Sequence, residues 1–74
     1  MKDIAEAFRE FVSEKIAEQN LSLREIERRT GLSISTTSRL INNKCTPDLR
    51  TVQKLLDGLG YDIIDFVDEK MRES

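Results

Sequence analysis

The stretch LSLREIERRTGLSISTTSRLINNK, residues 21–44, decides the fold. It opens with a capping box, in which Ser22 is the N-cap of a helix and Glu25 follows three residues later. Gly31 ends this helix, because glycine adopts the left-handed conformation after a helix without steric cost. The pattern therefore predicts a short helix over residues 22–30.

A second short helix is predicted over residues 33–42, with Ser33 as its N-cap. Five of the seven residues from 33 to 39 are Ser or Thr, which are indifferent helix formers because their hydroxyls compete for backbone hydrogen bonds. Helical periodicity divides the segment into two faces. The inner face carries Thr37, Leu40 and Ile41, and the outer face carries Ile34, Ser35, Ser38, Arg39 and Asn42. Two short helices joined by a glycine turn are the elements of a helix-turn-helix.

Three further helices are predicted around this pair. The first, over residues 3–19, has an apolar stripe at helical spacing, made of Ile4, Phe8, Phe11, Val12, Ile16 and Ala17. Asn43 can adopt the left-handed C-cap conformation after helix 33–42. Asp48 is the expected N-cap of the fourth helix, which ends at Gly58-Leu59-Gly60 and buries Leu49, Val52, Leu55, Leu56 and Leu59. A fifth helix, over residues 62–72, has more apolar surface than one side of a short helix needs, namely Ile63, Ile64, Phe66, Val67 and Met71. The prediction is an all-α protein.

Composition limits the function classes. A chain of 74 residues predicts a single domain, residues 1–74, near the size at which one core only just suffices. Histidine is absent and Cys45 is the one cysteine, so the sequence offers no disulfide, no metal cluster and no base beside a nucleophile. No cofactor, metal or enzymatic activity is expected. No signal peptide or membrane-spanning run is found, which favours a cytoplasmic protein with no membrane partner.

The charge is unevenly distributed. The net charge is −2, but residues 21–50 carry six basic and three acidic side chains, a balance of +3. Residues 1–20 and 51–74 have balances of −2 and −3. A positive middle between negative ends can give an acidic protein one face that attracts nucleic acid. The alternative is a solvated surface of mixed charge, and charge alone does not decide between the two.

Residues 21–44 closely resemble the helix-turn-helix of the phage-repressor and Cro-like (XRE-type) family of bacterial and phage transcriptional regulators. The segment TPDLRTVQKLLDGLGYD, residues 46–62, is similar to the fourth helix of that family and its exit. The residues that match the family motif are Ile26, Gly31, Leu32, Leu40, Asn42 and Lys44. The resemblance implies a five-helix lambda-repressor-like domain. It also implies a sequence-specific regulator of transcription, a repressor, that binds a double-stranded DNA operator and is associated with the nucleoid when bound.

The resemblance also assigns the site residues. Helix 33–42 becomes the recognition helix, which lies in the major groove. The residues expected to contact bases are Ile34, Ser35, Ser38 and Arg39. Arg39 can pair bidentately with guanine, and Ile34 can contact a thymine methyl group. The residues expected to contact phosphates are Ser22, Arg24, Ser33, Asn42 and Lys44.

The sequence departs from the family pattern at two pairs of positions. Glu27 stands where the family has a small alanine, and Thr37 stands where it has a branched apolar residue. We expect the Thr37 hydroxyl to donate a hydrogen bond to the Glu27 carboxylate, which would satisfy both groups. The alternative is that Glu27 turns outward to Arg24 or another arginine and leaves Thr37 half-buried. Ile16 and Ile41 occupy positions that form an ion pair in several phage repressors, so an apolar contact is expected there.

Two partners are expected besides DNA. Because one recognition helix contacts only a half-site, the chain is expected to form a homodimer, with helix 62–72 as the dimerisation element. The alternative function is that of an antitoxin, or a protein-interaction module, whose partner is a toxin protein and which also represses its own operon. The acidic ends and the apolar fifth helix are compatible with that alternative.

Overall fold

The computed structural model describes residues 3–72. These residues form α1 (Ile4–Gln19), α2 (Leu23–Thr30), α3 (Ile34–Ile41), α4 (Leu49–Leu59) and α5 (Ile63–Phe66), and α5 continues as a π-helical turn over Val67–Met71. The predicted all-α class and the order of five helices are confirmed.

Local capping chemistry sets the ends of α2 and the start of α3. The Ser22 hydroxyl accepts a hydrogen bond from the Glu25 amide at 3.2 Å, and the Glu25 carboxylate accepts one from the Ser22 amide at 3.2 Å. Gly31 has φ +79° and ends α2. The Ser33 hydroxyl then accepts a hydrogen bond from the Thr36 amide at 3.1 Å. The predicted capping box, turn and N-cap are all confirmed.

The ends of the longer helices follow the same chemistry. Asn20, which follows α1, and Gly60, which follows α4, have φ +55° and +87°. Asp48 caps α4 by accepting a hydrogen bond from the Thr51 amide at 2.8 Å. That hydrogen bond stabilises the carboxylate and lowers the pKa of Asp48 below its usual range.

Every helix contributes to one hydrophobic core. Its buried members are Ala7, Phe8, Phe11 and Val12 from α1, Ile26 from α2, Leu40 from α3, Leu55, Leu56 and Leu59 from α4, and Phe66 from α5. The Phe66 ring packs edge-on against the rings of Phe8 and Phe11, with centroid distances of 5.4 and 5.5 Å. These aromatic contacts attach α5 to α1.

Two lysines fasten the C-terminal turn to α1. The buried ammonium of Lys15 lies 2.8 Å from the Glu69 carboxylate and over the Phe11 ring, 5.1 Å from its centroid. In the opposite direction, Lys70 reaches back to Glu14 at 2.9 Å. The hydrogen bond to Glu69 raises the pKa of Lys15 above its usual value. The ammonium of Lys15 is therefore both buried and paired, which is the condition under which a buried charge is tolerated.

Three apolar residues predicted to be buried are exposed. Ile4 and Leu49 are 60% and 87% exposed, and Ala17 also faces solvent. Ile4 and Leu49 are the first residues of α1 and α4, where a helix end extends past the elements that would cover it, and Ala17 lies at the edge of its stripe. The predicted burial of these three is wrong, because periodicity identifies an inner face without fixing how far its neighbours extend.

Thr30 and Gly58 mark a close approach between α2 and α4. A Cβ atom at Gly58 would lie 2.5 Å from Thr30 Cγ2 and 3.3 Å from the carbonyl carbon of Arg29. The Thr30 side chain cannot rotate freely, because its hydroxyl donates to the Ile26 carbonyl at 2.7 Å and accepts from the Leu32 amide at 3.1 Å. Glycine at position 58 therefore sets the distance between the two helices.

Gly58→Ala is expected to destabilise the fold by about 1–3 kcal/mol, because the added methyl overpacks a fixed contact. Helix propensity alone predicts the opposite, a gain of roughly 1 kcal/mol from replacing glycine inside a helix. Urea unfolding, read as a change in midpoint at constant m-value, decides between them.

The matched control is Thr30→Ser, which keeps the hydroxyl and removes Cγ2. In the Thr30→Ser background, Gly58→Ala should cost clearly less than in the wild-type protein, a coupling that a double-mutant cycle measures. If Gly58→Ala lowers the free energy of unfolding equally in both backgrounds, the Thr30 methyl does not limit how closely α2 and α4 approach.

Candidate nucleic-acid interface

The outer face of α3 is polar and open to solvent. Ser35 and Arg39 are exposed, whereas Thr37 and Leu40, on the opposite side, are buried. Ser38 is partly buried, and its hydroxyl accepts a hydrogen bond from the side-chain amide of Asn42 at 3.3 Å. The predicted division of this helix into an inner and an outer face is confirmed for these residues.

Ile34 is the one apolar residue among the four predicted to contact bases. It stands at the start of α3 and, like Ser38, is partly buried, whereas Ser35 and Arg39 are exposed. An apolar residue there has one side covered by the protein and one side open. The open side is what remains for a contact outside the chain.

The hydroxyls predicted to contact phosphates already have partners within the chain. The Ser22 hydroxyl lies 3.4 Å from the Glu25 carboxylate, in addition to accepting from the Glu25 amide. The Ser33 hydroxyl donates to Thr36 Oγ1 at 2.9 Å. To donate to a phosphate, either serine must reorient its hydroxyl hydrogen. Arg24 and Lys44 are exposed, and charged side chains form stronger hydrogen bonds with anions than hydroxyls do.

The turn after α3 joins a predicted base-contacting residue to a predicted phosphate-contacting one. Asn43 has φ +60°, which confirms it as the left-handed residue that ends the helix. The Asn43 amide donates to the Leu40 carbonyl at 3.2 Å, and the Lys44 amide donates to the Arg39 carbonyl at 2.7 Å. This pair of bonds is a Schellman motif. It fixes the backbone of Lys44 relative to that of Arg39.

Sequence reasoning missed one residue at this turn. Arg9 of α1 donates a hydrogen bond from Nη1 to Asn43 Oδ1 at 2.9 Å, across a separation of 34 residues. Nothing in the local pattern of α1 distinguishes Arg9 from other exposed basic residues. The contact is visible only once α1 is packed beside the end of α3.

The predicted hydrogen bond between Thr37 and Glu27 is wrong. The Thr37 side chain is 1% exposed, and its hydroxyl finds no hydrogen-bond partner within residues 3–72. Glu27 is exposed, because burying a carboxylate costs more hydration free energy than one hydrogen bond from a hydroxyl restores. Ile16 and Ile41 are both partly buried, and the apolar contact between them stays a prediction.

The described residues, 3–72, include no group of His, Cys, Asp and Glu side chains that could hold a metal ion. Over the same residues, none of the helices has the length and apolar character needed to cross a membrane.

The structure has five helices. In the middle of the chain, a capped helix, a glycine turn and a helix with an exposed polar face follow one another, and this arrangement defines the helix-turn-helix class. A family model described as helix-turn-helix matches residues 12–66, and the chain belongs to the Cro/C1-type (XRE-type) helix-turn-helix family. No curated protein and no solved structure matches the chain. The family consists of DNA-binding regulators of transcription and not of enzymes.

Thr37→Val should stabilise the protein by about 1 kcal/mol, because it removes a buried hydroxyl that lacks a partner while keeping the branched shape of the side chain. Chemical denaturation measures the gain. DNA affinity should stay unchanged, because residue 37 faces the core.

Thr36→Val is the matched control on the same helix. Its hydroxyl accepts a hydrogen bond from Ser33, so the same substitution there should bring no gain. A loss of stability in Thr37→Val would mean that this hydroxyl is bonded in solution and would contradict the burial argument.

Proposed function

We propose that the chain is a homodimeric repressor that inserts α3 into the major groove of a two-fold DNA operator. The observation that carries the proposal is the exposed polar face of α3, with Ser35 and Arg39 open to solvent beside a buried inner face. A repressor needs no further chemistry, since a protein seated on an operator excludes other proteins from it. Residues 1–74 act as one DNA-binding domain in this proposal.

Base recognition and phosphate binding are assigned to different residues. Arg39 pairs bidentately with a guanine edge, the commonest specific contact, and the open side of Ile34 meets a thymine methyl group. Ser35 and Ser38 bond to neighbouring base edges. The phosphate contacts, which fix register without reading sequence, come from Ser22, Arg24, Ser33, Asn42 and Lys44.

The homodimer forms through the C-terminal segment. Phe66 is used by the core, but Ile63, Ile64 and Val67 remain 51%, 65% and 39% exposed. Large apolar side chains grouped on one short segment favour an interface. A two-fold dimer would present two recognition helices to half-sites about 34 Å apart, one turn of DNA.

An antitoxin is the second candidate function, and the same apolar group supports it. In that case a toxin protein covers Ile63, Ile64 and Val67, and DNA binding serves to repress the operon. The oligomeric state of the purified chain separates the two, because only the first candidate needs a self-association that buries these residues.

Substitutions of Arg39 and Lys44 test the division between base and phosphate contacts. Arg39→Ala should cost about 1–3 kcal/mol at the selected operator and relax the preference at one base pair per half-site. Lys44→Ala should weaken binding to all sequences and lower the salt slope by roughly one unit for each phosphate that is no longer neutralised. Selection from a random DNA library, followed by binding at two salt concentrations, measures both effects.

The sharper control is Arg39→Lys, which keeps the charge and removes the planar fork. It should lose the base preference while keeping the salt slope of the wild-type protein. If the sequence selected by Arg39→Ala equals that selected by the wild-type protein, Arg39 does not read a base.

The double variant Ile63→Ser/Ile64→Ser tests the dimer. Both side chains are more than half exposed, so the monomer should fold normally while self-association weakens. Sedimentation should show a monomer at concentrations at which the wild-type protein is a dimer. Operator affinity should fall by more than tenfold, because each half-site is then bound separately.

Leu49→Ser is the matched control, since it removes an apolar side chain of which 87% is exposed on a different helix. It should leave both oligomeric state and operator affinity unchanged. A wild-type protein that binds its operator tightly as a strict monomer would refute the dimer and favour the antitoxin.

A further inference from the structure

The turn that joins α3 to the loop before α4 is attached to α1 by a side chain. Arg9 Nη1 lies 2.9 Å from Asn43 Oδ1, and Arg9 is partly buried. Asn43 stands between Asn42 and Lys44, two residues assigned to phosphate contacts. A guanidinium of the first helix therefore holds the middle residue of the segment that faces the DNA backbone.

The surroundings make this bond a bridge. Between the start of α1 and the loop that follows α3 lies an open cleft of about 180 Å³, whose lining includes Asp3, Glu6, Leu40 and Pro47. Arg9 and Asn43 line the same cleft. The cleft leaves part of the turn without packing against α1, so the bond from Arg9 adds an attachment there that packing does not supply.

The internal bonds of the turn extend the effect of this bridge to the binding residues. Because the Lys44 amide donates to the Arg39 carbonyl at 2.7 Å, the backbone of Lys44 follows the last turn of α3. The internal bonds fix the shape of the turn, and the bridge fixes its place against the rest of the molecule. Phosphate contacts set the register of the protein on the duplex, so they need a turn of fixed shape in a fixed place.

We propose that Arg9 is a positioning residue for DNA binding, which acts through Asn43 to hold the Asn42–Lys44 turn where it meets a phosphate. This inference rests on the proposed function. Arg9 itself does not contact DNA, so its role differs from that of Arg24 or Lys44. Loss of the Arg9 guanidinium makes the turn less ordered, but it leaves the number of basic residues that contact phosphates unchanged.

Two variants remove the bridge from its two ends. Arg9→Met keeps most of the stem and removes the guanidinium. Asn43→Gly removes the amide oxygen and keeps the left-handed conformation, which glycine adopts without steric cost. The matched control is Arg29→Met, which deletes the same charge and an exposed hydrogen bond to Gln19. Each variant and the Arg9→Met/Asn43→Gly double variant are measured for operator affinity, salt slope and hydrogen exchange of the Lys44 amide in the free protein.

Both single variants should weaken operator binding by about threefold to tenfold relative to Arg29→Met, which corresponds to the net contribution of one hydrogen bond. The double variant should be no weaker than the weaker single, since either change already breaks the bridge. Exchange of the Lys44 amide should be faster in all three than in the control. The sequence selected from a random library should not change.

Three results would overturn the inference. Additive losses would mean that Arg9 and Asn43 act independently, and a salt slope lowered by a full unit in Arg9→Met alone would make Arg9 a direct phosphate ligand. Affinities and exchange rates equal to those of Arg29→Met would make the bond a surface contact without consequence. A wild-type protein that selects no DNA sequence would instead refute the proposed function.

Discussion

The hydroxyl and methyl groups of Thr30 are the constraint on which the DNA-binding geometry depends. The hydroxyl joins the last turn of α2 to the backbone beyond the glycine turn, through Ile26 and Leu32, so it fixes the direction in which α3 leaves. The methyl meets Gly58 on α4, so it also fixes how closely the pair approaches the rest of the core. A single buried side chain thus orients α3 both to α2 and to α4, and the exposed face of α3 has a fixed direction in consequence.

The distribution of charge complements this geometry. Residues 21–50 have a balance of +3, while residues 51–74 have a balance of −3, so the small net charge hides an uneven distribution along the chain. In the proposed complex, the positive segment that contains α2 and α3 would face the phosphates, which attract it. Salt weakens this orientation and the phosphate contacts together, because the charges are exposed and screened. The proposed contact of Arg39 with a base edge would depend less on ionic screening than on the fit between the guanidinium and the base edge.

Prediction from the sequence succeeded where the chemistry is local. The capping box of Ser22 and Glu25 and the turn at Gly31 each depend on residues within one helical turn, so the pattern contains the whole interaction. It failed where burial or partners come from distant elements: Leu49 is exposed because nothing covers the start of α4, and Thr37 lacks the partner assigned to it. The bond between Arg9 and Asn43 and the burial of Lys15 beside Glu69 have no local signature. The outer face of α3 could be predicted because periodicity and the family motif indicate the same residues.

The size of the recognition helix explains why the C-terminal segment matters for the proposed function. One good bidentate contact discriminates against a wrong base by about 1–3 kcal/mol, and α3 has only eight residues. Specific regulators exceed their own non-specific binding by about 4–10 kcal/mol, and a single half-site with one proposed bidentate contact supplies only part of that difference. Two half-sites reach it only if the two recognition helices are held rigidly at the spacing of the DNA. The apolar group of α5 would join the protomers, and the ion pairs of Lys15 and Lys70 with Glu69 and Glu14 hold that group to α1. In the proposed dimer, any relative movement of α5 and α1 would change the spacing of the two recognition helices, so the ion pairs of the two lysines would help to keep that spacing fixed.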